Sequence, residues 1–294
     1  MFVWLARTFW DFRSLALKRQ RPQLVTISYS HFVEGARWCL DAAGVPYDEY
    51  GCAPGQHILP VISVRVPKGG GKPHFASSSN VGGGAKPSPT SVPCMVTPTG
   101  KVFVDSWEIA ASCSSLRQIE DGEEGESIKK LLDEELGPAV RALAYCFLFK
   151  PQTLPLFNKM CTEDRHIFFR AIWCYGFGIF LIKKMVGIFK TDQASTQPEC
   201  EARTQLALDK LAAILTAKKT KYFAGDEPGV ADFFAAALIA VVVNPPSYGG
   251  RNPTMKRYVE EQELLDPEYK AHIEKWRAHP AGQYCLELYR THRL

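Results

Sequence analysis

Ser30 and His31 stand where a strand-like apolar run gives way to a helix-like one, and Tyr29 lies one residue earlier. A hydroxyl at the mouth of a helix meets free backbone N–H groups and the positive end of the helix dipole, so a negative charge held there is stabilised. Such a place suits a thiolate, with the hydroxyl of Ser30, or alternatively of Tyr29, donating to it. The Ser30–His31 pair also invites a hydrolase reading, but neighbours at the start of a helix point apart. The elements needed to position these groups follow from the pattern. Leu24 to Ser28 reads as a strand, and the helix begins at Ser30 or His31, with Phe32, Ala36, Cys39, Leu40 and Ala43 recurring at helical spacing. Gly44 followed by Pro46 stops it, and Tyr47 to Cys52 returns as a second strand of a βαβ unit.

A second constellation lies at Val92-Pro93 and Asp105-Ser106. Ser91 to Thr97 and Lys101 to Asp105 alternate around the turn Pro98-Thr-Gly100, which predicts an antiparallel hairpin with Pro93 at a strand edge or start. Asp105 opens the next helix, with Glu108 at capping-box spacing. A capped helix start is also an anion site, so a structural role and a binding role are compatible there.

Ser30-His-Phe-Val-Glu-Gly-Ala-Arg37 resembles the first strand-helix unit of the glutathione transferase superfamily, in its omega-like and zeta-like members. There a Cys or Ser lies seven residues before an Arg, and counting back from Arg37 gives Ser30. Ser replaces the omega-like Cys and His31 replaces its Pro, which favours transferase over thiol-reductase chemistry. The resemblance implies an α/β thioredoxin-like domain followed by an all-α domain. It implies that Val92 precedes a cis Pro93 and offers its backbone to the cysteinyl part of glutathione. It further implies that Ser106 and its helix start take the γ-glutamyl carboxylate, with Asp105 near the ammonium. Lys221 to Leu238 resembles the superfamily's C-terminal signature, in which Asp232 is a structural cap and Gly229 stands where Ser or Thr is usual.

The chain reads as an N-terminal extension (1–22), a thioredoxin-like glutathione-binding domain (23–116), a linker (117–127) and a helical domain (128–294). A Gly-, Ser- and Pro-rich insert at about 55–91 reads as a mobile loop. Its glycine runs lack the Gly-Lys-Ser/Thr ending and the strand-helix setting of a phosphate loop. The extension is apolar then basic, and three readings fit it: a helix packed on the protein, an organelle-targeting segment or a membrane-surface helix. Arg141 and Tyr145 fall four apart on one helix face, either as solvent and core residues or as a pair lining the cleft between domains. Ile167 to Phe189 is the most apolar region, but Arg170, Lys183 and Lys184 cut its uncharged run below the roughly 20 residues of a membrane span. It reads as a buried helix with an aromatic wall for an apolar substrate near Trp173 to Phe177.

Thirty-five Lys and Arg against 31 Asp and Glu, scattered, give no clustered basic face for nucleic acid. Nine cysteines without Cys-x-x-Cys or His/Cys ligand spacing read as reduced residues of an intracellular, cytoplasmic protein without a metal site. The expected function is a glutathione S-transferase, with glutathione as cosubstrate, of the kind used in detoxification. Glutathione activated at Ser30 attacks an apolar electrophile in a pocket that includes His31, Arg141 and Tyr145. A thiol of pKa about 8.5 must be lowered by about two units, or roughly 2.7 kcal/mol, to be mostly thiolate at neutral pH. A hydrogen bond to a charged group, worth about 1.5 to 3 kcal/mol, is of that size. The alternative is a non-catalytic binding or assembly module of the same fold, with no transmembrane segment and homodimerisation plausible in either case.

Overall fold

The computed structural model describes residues 16–65, 90–119, 122–163, 167–218, 220–252, 255, 257–258, 260–261 and 266–293. The N-terminal stretch up to residue 15 and most of the Gly/Ser-rich insert, 66–89, lie outside the described residues. The expectations of a targeting or surface helix for the N-terminal residues up to 15, and of a mobile loop for 66–89, therefore fall outside them as well.

Four short strands form one sheet in the order β2-β1-β3-β4. β1 (Gln23–Ile27) runs parallel to β2 (Asp48–Cys52), joined by helix α1 (His31–Ala42). Its other edge pairs antiparallel with β3 (Cys94–Val96), which turns back into β4 (Val102–Phe103). Gly44 has φ of 66° and Gly100 φ of 85°, so the helix stop and the hairpin turn each use a glycine in the left-handed region. The strand expected at Leu24 starts one residue earlier, and the hairpin arms are shorter than their alternation.

One helix was missed. α2 (Ile58–Arg65) occupies the start of the expected loop and buries Pro60, Val61, Val64 and Arg65. The apolar run Ile58 to Ile62 supplies the core contact that the glycine-rich residues after it cannot.

α3 (Ser106–Ala111) follows the hairpin. The helical part then begins with α4 (Glu123–Lys130), inside the stretch read as linker. It passes without a break through a wide, π-type turn (Leu131–Leu136) into α5 (Gly137–Leu148). Pro138 lacks the N–H that the preceding turn would use, and the helix accommodates it by widening rather than by stopping. α6 (Leu154–Thr162), α7 (Ile167–Ile172), a second wide turn (Trp173–Phe177) and α8 (Gly178–Phe189) follow. α9 (Thr196–Lys218), α10 (Val230–Val243), α11 (Pro267–Arg277) and α12 (Pro280–His292) complete the described helices. This is a thioredoxin-like sheet unit followed by an all-helical unit.

α10 is apolar all round and buried; α1 packs on it, and α3 packs on α1 and reaches α10 through Trp107. Trp38 stacks on Phe233 with ring centroids 5.1 Å apart, and Trp107 on Phe234 at 4.0 Å. The start of α10 is held by Asp232, whose carboxylate accepts from the backbone N–H of Phe223 (2.7 Å) and Gly229 (2.8 Å) and from the Tyr284 hydroxyl. Gly229 replaces the usual Ser or Thr for want of space: a Cβ there would lie 2.5 Å from the Arg117 carbonyl oxygen. The capping box is thus half-built, with only the Asp232 arm present.

One expectation is corrected by burial. The Ile167 to Phe189 segment is not a buried helix: only Trp173 and Gly178 are buried, and most of its surface is exposed. It packs by one edge alone. The Trp173 indole donates to Asn158 Oδ1 (2.9 Å), and the Phe189 ring meets Tyr145 at 4.8 Å.

Candidate functional site

Ser30 is the residue before α1, with extended backbone, and its side chain makes no capping hydrogen bond. The local chain is fixed from behind. Arg37, about two helical turns further on, donates from Nη2 to the Ser28 carbonyl (2.9 Å) and bonds Glu49 through Nε (2.9 Å) and Nη2 (2.5 Å). Glu34 accepts from Arg293 Nε (2.9 Å) and from the Gly249 N–H (3.2 Å). The Glu and Arg of the motif are therefore buried structural ions that set the turn in front of Ser30, and the hydroxyl of Ser30 is not consumed by them.

Ser30 faces a cavity of about 310 Å³ between the sheet unit and the helices. Tyr29, His31, Val92, Arg141 and Tyr145 line the same cavity, so five more of the expected residues converge on it. The Val92–Pro93 peptide bond is cis, as the resemblance implied. The β1–β3 ladder ends at the Val25–Cys94 pair, which leaves Val92 and Pro93 beyond it, with Val92 on the cavity lining.

The two hydroxyls next to each other differ in their surroundings. Tyr29 packs edge-on against Phe157 and its Oη lies 3.4 Å from Cys161 Sγ, and burial pushes its phenol well above the usual range. Its oxygen is engaged with α6. Ser30 carries no such engagement.

His31 is buried, and its Nε2 has no hydrogen-bond partner among the described residues. Burial first, then the neighbouring Arg141 charge, pushes its imidazolium down to about 3, against a raising hydrogen bond with the Gly137 backbone. It is neutral at physiological pH and a poor general base. Gly137 lets α5 approach this closely: a Cβ would stand 2.7 Å from the Phe32 ring. Arg141 and Tyr145 form a wall pair on α5. The guanidinium lies 5.5 Å from the Phe189 ring centroid, and Tyr145 stacks on Phe149 at 5.1 Å.

Asp105 and Ser106 are placed differently. Asp105 caps α3, accepting from the Glu108 N–H at 2.8 Å, while Glu108 Oε2 accepts from the Val104 N–H at 2.9 Å. Both residues are buried, and neither lines the cavity. The Ser106 hydroxyl has no hydrogen-bond partner among the described residues.

Sequence reasoning missed Arg65 and the far wall. Arg65 Nη2 donates to the carbonyls of Ser91 (2.7 Å) and Val104 (2.5 Å), tying the chain just before Val92 and Pro93 to the chain just before Asp105. An Arg ending a short apolar helix could have signalled it only had the helix itself been recognised. Opposite Ser30 stand Tyr248, Tyr258, Tyr269 and Met185, which no local pattern connects with Ser30. Trp173, expected on this wall, lies outside the lining, whereas Met185 of the same apolar stretch is on it. Among the described residues no group of three or more His, Cys, Asp or Glu could hold a metal ion.

No protein-family model matches the sequence, and no curated protein does. Solved structures do match. A glutathione S-transferase of Ceriporiopsis subvermispora, crystallised in complex with glutathione, is 14% identical, with 93% of this chain and 98% of that chain covered and a TM-score of 0.53. Glutathione transferase F7 of Populus trichocarpa is 15% identical over 90% of this chain and 98% of that one (TM-score 0.45). A Burkholderia graminis glutathione transferase with two glutathione molecules bound per subunit is 13% identical over 96% and 94% (TM-score 0.48). At 14% identity the likeness to the Ceriporiopsis subvermispora structure speaks for the fold alone: a thioredoxin-like unit followed by a helical one, as in that glutathione S-transferase.

Proposed function

We propose that the protein is a glutathione transferase-like enzyme of the Ser type, with Ser30 activating the glutathione thiol for attack on an apolar electrophile. One observation carries this reading: the Ser30 hydroxyl stands at a helix N-terminus, unused by the cap, on a cavity that Val92 of the cis Val92–Pro93 pair also lines. A thiol bound there gains a hydroxyl donor and the helix N-terminal field together. Its proton leaves to solvent, the sulfur forms the new carbon–sulfur bond, and the leaving group departs with the electron pair. The cysteinyl part lies along Val92, and the electrophile lies against His31, Arg141, Tyr145 and the tyrosines opposite. The neutral His31 and the aromatic wall suit an apolar partner, with Arg141 as the one cation among the described lining residues. In this reading the γ-glutamyl carboxylate falls to Ser106, which would give its buried hydroxyl a partner.

A second reading has a specific observation in its favour. Asp105 and Ser106 are buried off the cavity, so the grip on the γ-glutamyl end is incomplete as the residues stand. In that case the fold is a binding module without turnover. Calorimetric titration with glutathione, together with conjugation of a chlorodinitrobenzene by parent and Ser30→Ala protein, separates the two. Turnover that is lost with the hydroxyl supports the enzyme, glutathione binding without turnover supports the module, and neither binding nor turnover removes both.

A further inference from the structure

The exposed segment Ile167 to Phe189 carries 23 residues of mean hydropathy 1.5, and only 11% of its most apolar window is buried. Two ordinary explanations of such a helix fail here. A core helix would be mostly buried, and a signal sequence would lie near the N-terminus. Phe168 is 73% exposed, Ile172 63%, Tyr175 88% and Phe180 64%, far more apolar surface than scattered single residues leave on a folded domain. The segment contains no acid, and its three charges, Arg170, Lys183 and Lys184, are all exposed beside that apolar face.

From this composition and exposure we infer that the segment is a membrane-surface helix that seats the protein on a bilayer carrying anionic headgroups. Length alone, about 34 Å at 1.5 Å per residue, would let it span a bilayer, but its inner edge is committed to the protein. Trp173 bonds Asn158, Phe177 packs against Gly55, and Met185 lines the cavity. A helix held in this way lies in the interface, its aromatic and aliphatic face among the acyl chains and its cations at the headgroups. A second copy fits the same face less well. A two-fold contact would set Arg170, Lys183 and Lys184 against their own counterparts with no acid in the segment to meet them. Met185 lines the cavity, so the docked orientation brings the cavity towards the lipid surface, where the apolar electrophiles of the proposed function partition.

The test is flotation of the full chain with phosphatidylcholine vesicles, with and without about one-third phosphatidylserine. The parent should float with the anionic vesicles. Ile172→Glu with Phe180→Glu should lower that binding by at least about tenfold, and Lys183→Glu with Lys184→Glu should lower it by about tenfold on anionic vesicles only. Both pairs are exposed, so melting temperatures and conjugation in vesicle-free solution should not move. Parent protein that ignores both vesicles overturns the inference. So does undiminished binding by the Ile172/Phe180 variant, which would place the attachment elsewhere, residues 1–22 included. A parent dimer that the same variant turns into monomers, without vesicle binding, assigns the face to a second copy instead.

Discussion

Two helix starts in the sheet unit look alike in sequence and are used in opposite ways. At α1 the polar residue is left idle by the cap, and the fold spends Glu34 and Arg37 on holding the turn, so that Ser30 faces the cavity with an uncommitted hydroxyl. At α3 the cap is fully built, with Asp105 and Glu108 each accepting a backbone N–H, and the pair is buried off the cavity. The difference teaches that a side chain of N-cap type keeps its polar group for a ligand where its capping bond is missing, which is the role proposed for Ser30. Where that bond is made, the same residue type is architecture, and only a leftover group such as the Ser106 hydroxyl can point to a ligand.

The contrast can be broken at either end. The largest effect is expected from Ser30→Ala, which should lower kcat for conjugation by about 100-fold and move the ionisation of bound glutathione up by about two pH units, read from pH–rate profiles. His31→Gln tests the same end through stability. The folded-state pKa of His31, about 3, lies below its ordinary value, so as pH falls through about 6.5 the unfolded chain takes up a proton first. The stability from keeping His31 neutral is present above that pH and is lost on the way down to 3. The variant should therefore lose about 2 kcal/mol less than the parent on acidification to pH 5, measured by urea unfolding. Asp133, raised to about 6 by burial beside Trp107, works in the opposite sense, which is why variant and parent must be compared at each pH.

Ser106→Ala sharpens the other end. A tenfold rise in the glutathione dissociation constant with kcat unchanged, about 1.4 kcal/mol, would assign it the γ-glutamyl carboxylate, and unchanged affinity would leave α3 purely structural. The smallest effect belongs to Asp105→Ala. It should cost about 1 kcal/mol of stability through the lost cap, seen as a lower melting temperature at unchanged kcat.

Much of this was legible in the residues. The places of Ser30 before α1 and of Asp105 before α3 follow from local rules of strand, turn and cap, whereas the cis Val92–Pro93 bond and the Asp232 cap were implied by the family resemblance. Gly44 and Gly100 punctuate the elements as their types suggest. Arg65 was hidden because the apolar turn that carries it is short and runs into a glycine-rich stretch. The tyrosines at 248, 258 and 269 were hidden for a different reason: their place opposite Ser30 is set by how α10 and α11 pack, which no local period records. The Ile167 to Phe189 helix was misjudged because apolarity reports what a segment avoids, water, and says nothing of whether protein or lipid replaces it.

The ion network behind Ser30 has a kinetic meaning. Glu34 and Arg293 are 259 residues apart in the chain and both buried, with Arg293 Nη1 also on Asp41 at 2.6 Å. Closing so long a loop is among the slow, late steps of folding. Until Arg293 arrives, the buried Glu34 carboxylate has as its charged partner Arg37 of the same helix, 3.5 Å away and shared with Glu49, so α1 and β2 bring two carboxylates for one cation to a face that must desolvate. The sheet unit is thus a module of architecture without being a module of folding. A fragment cut after residue 116 should stay unstructured by hydrogen exchange, although every strand of the sheet is present in it.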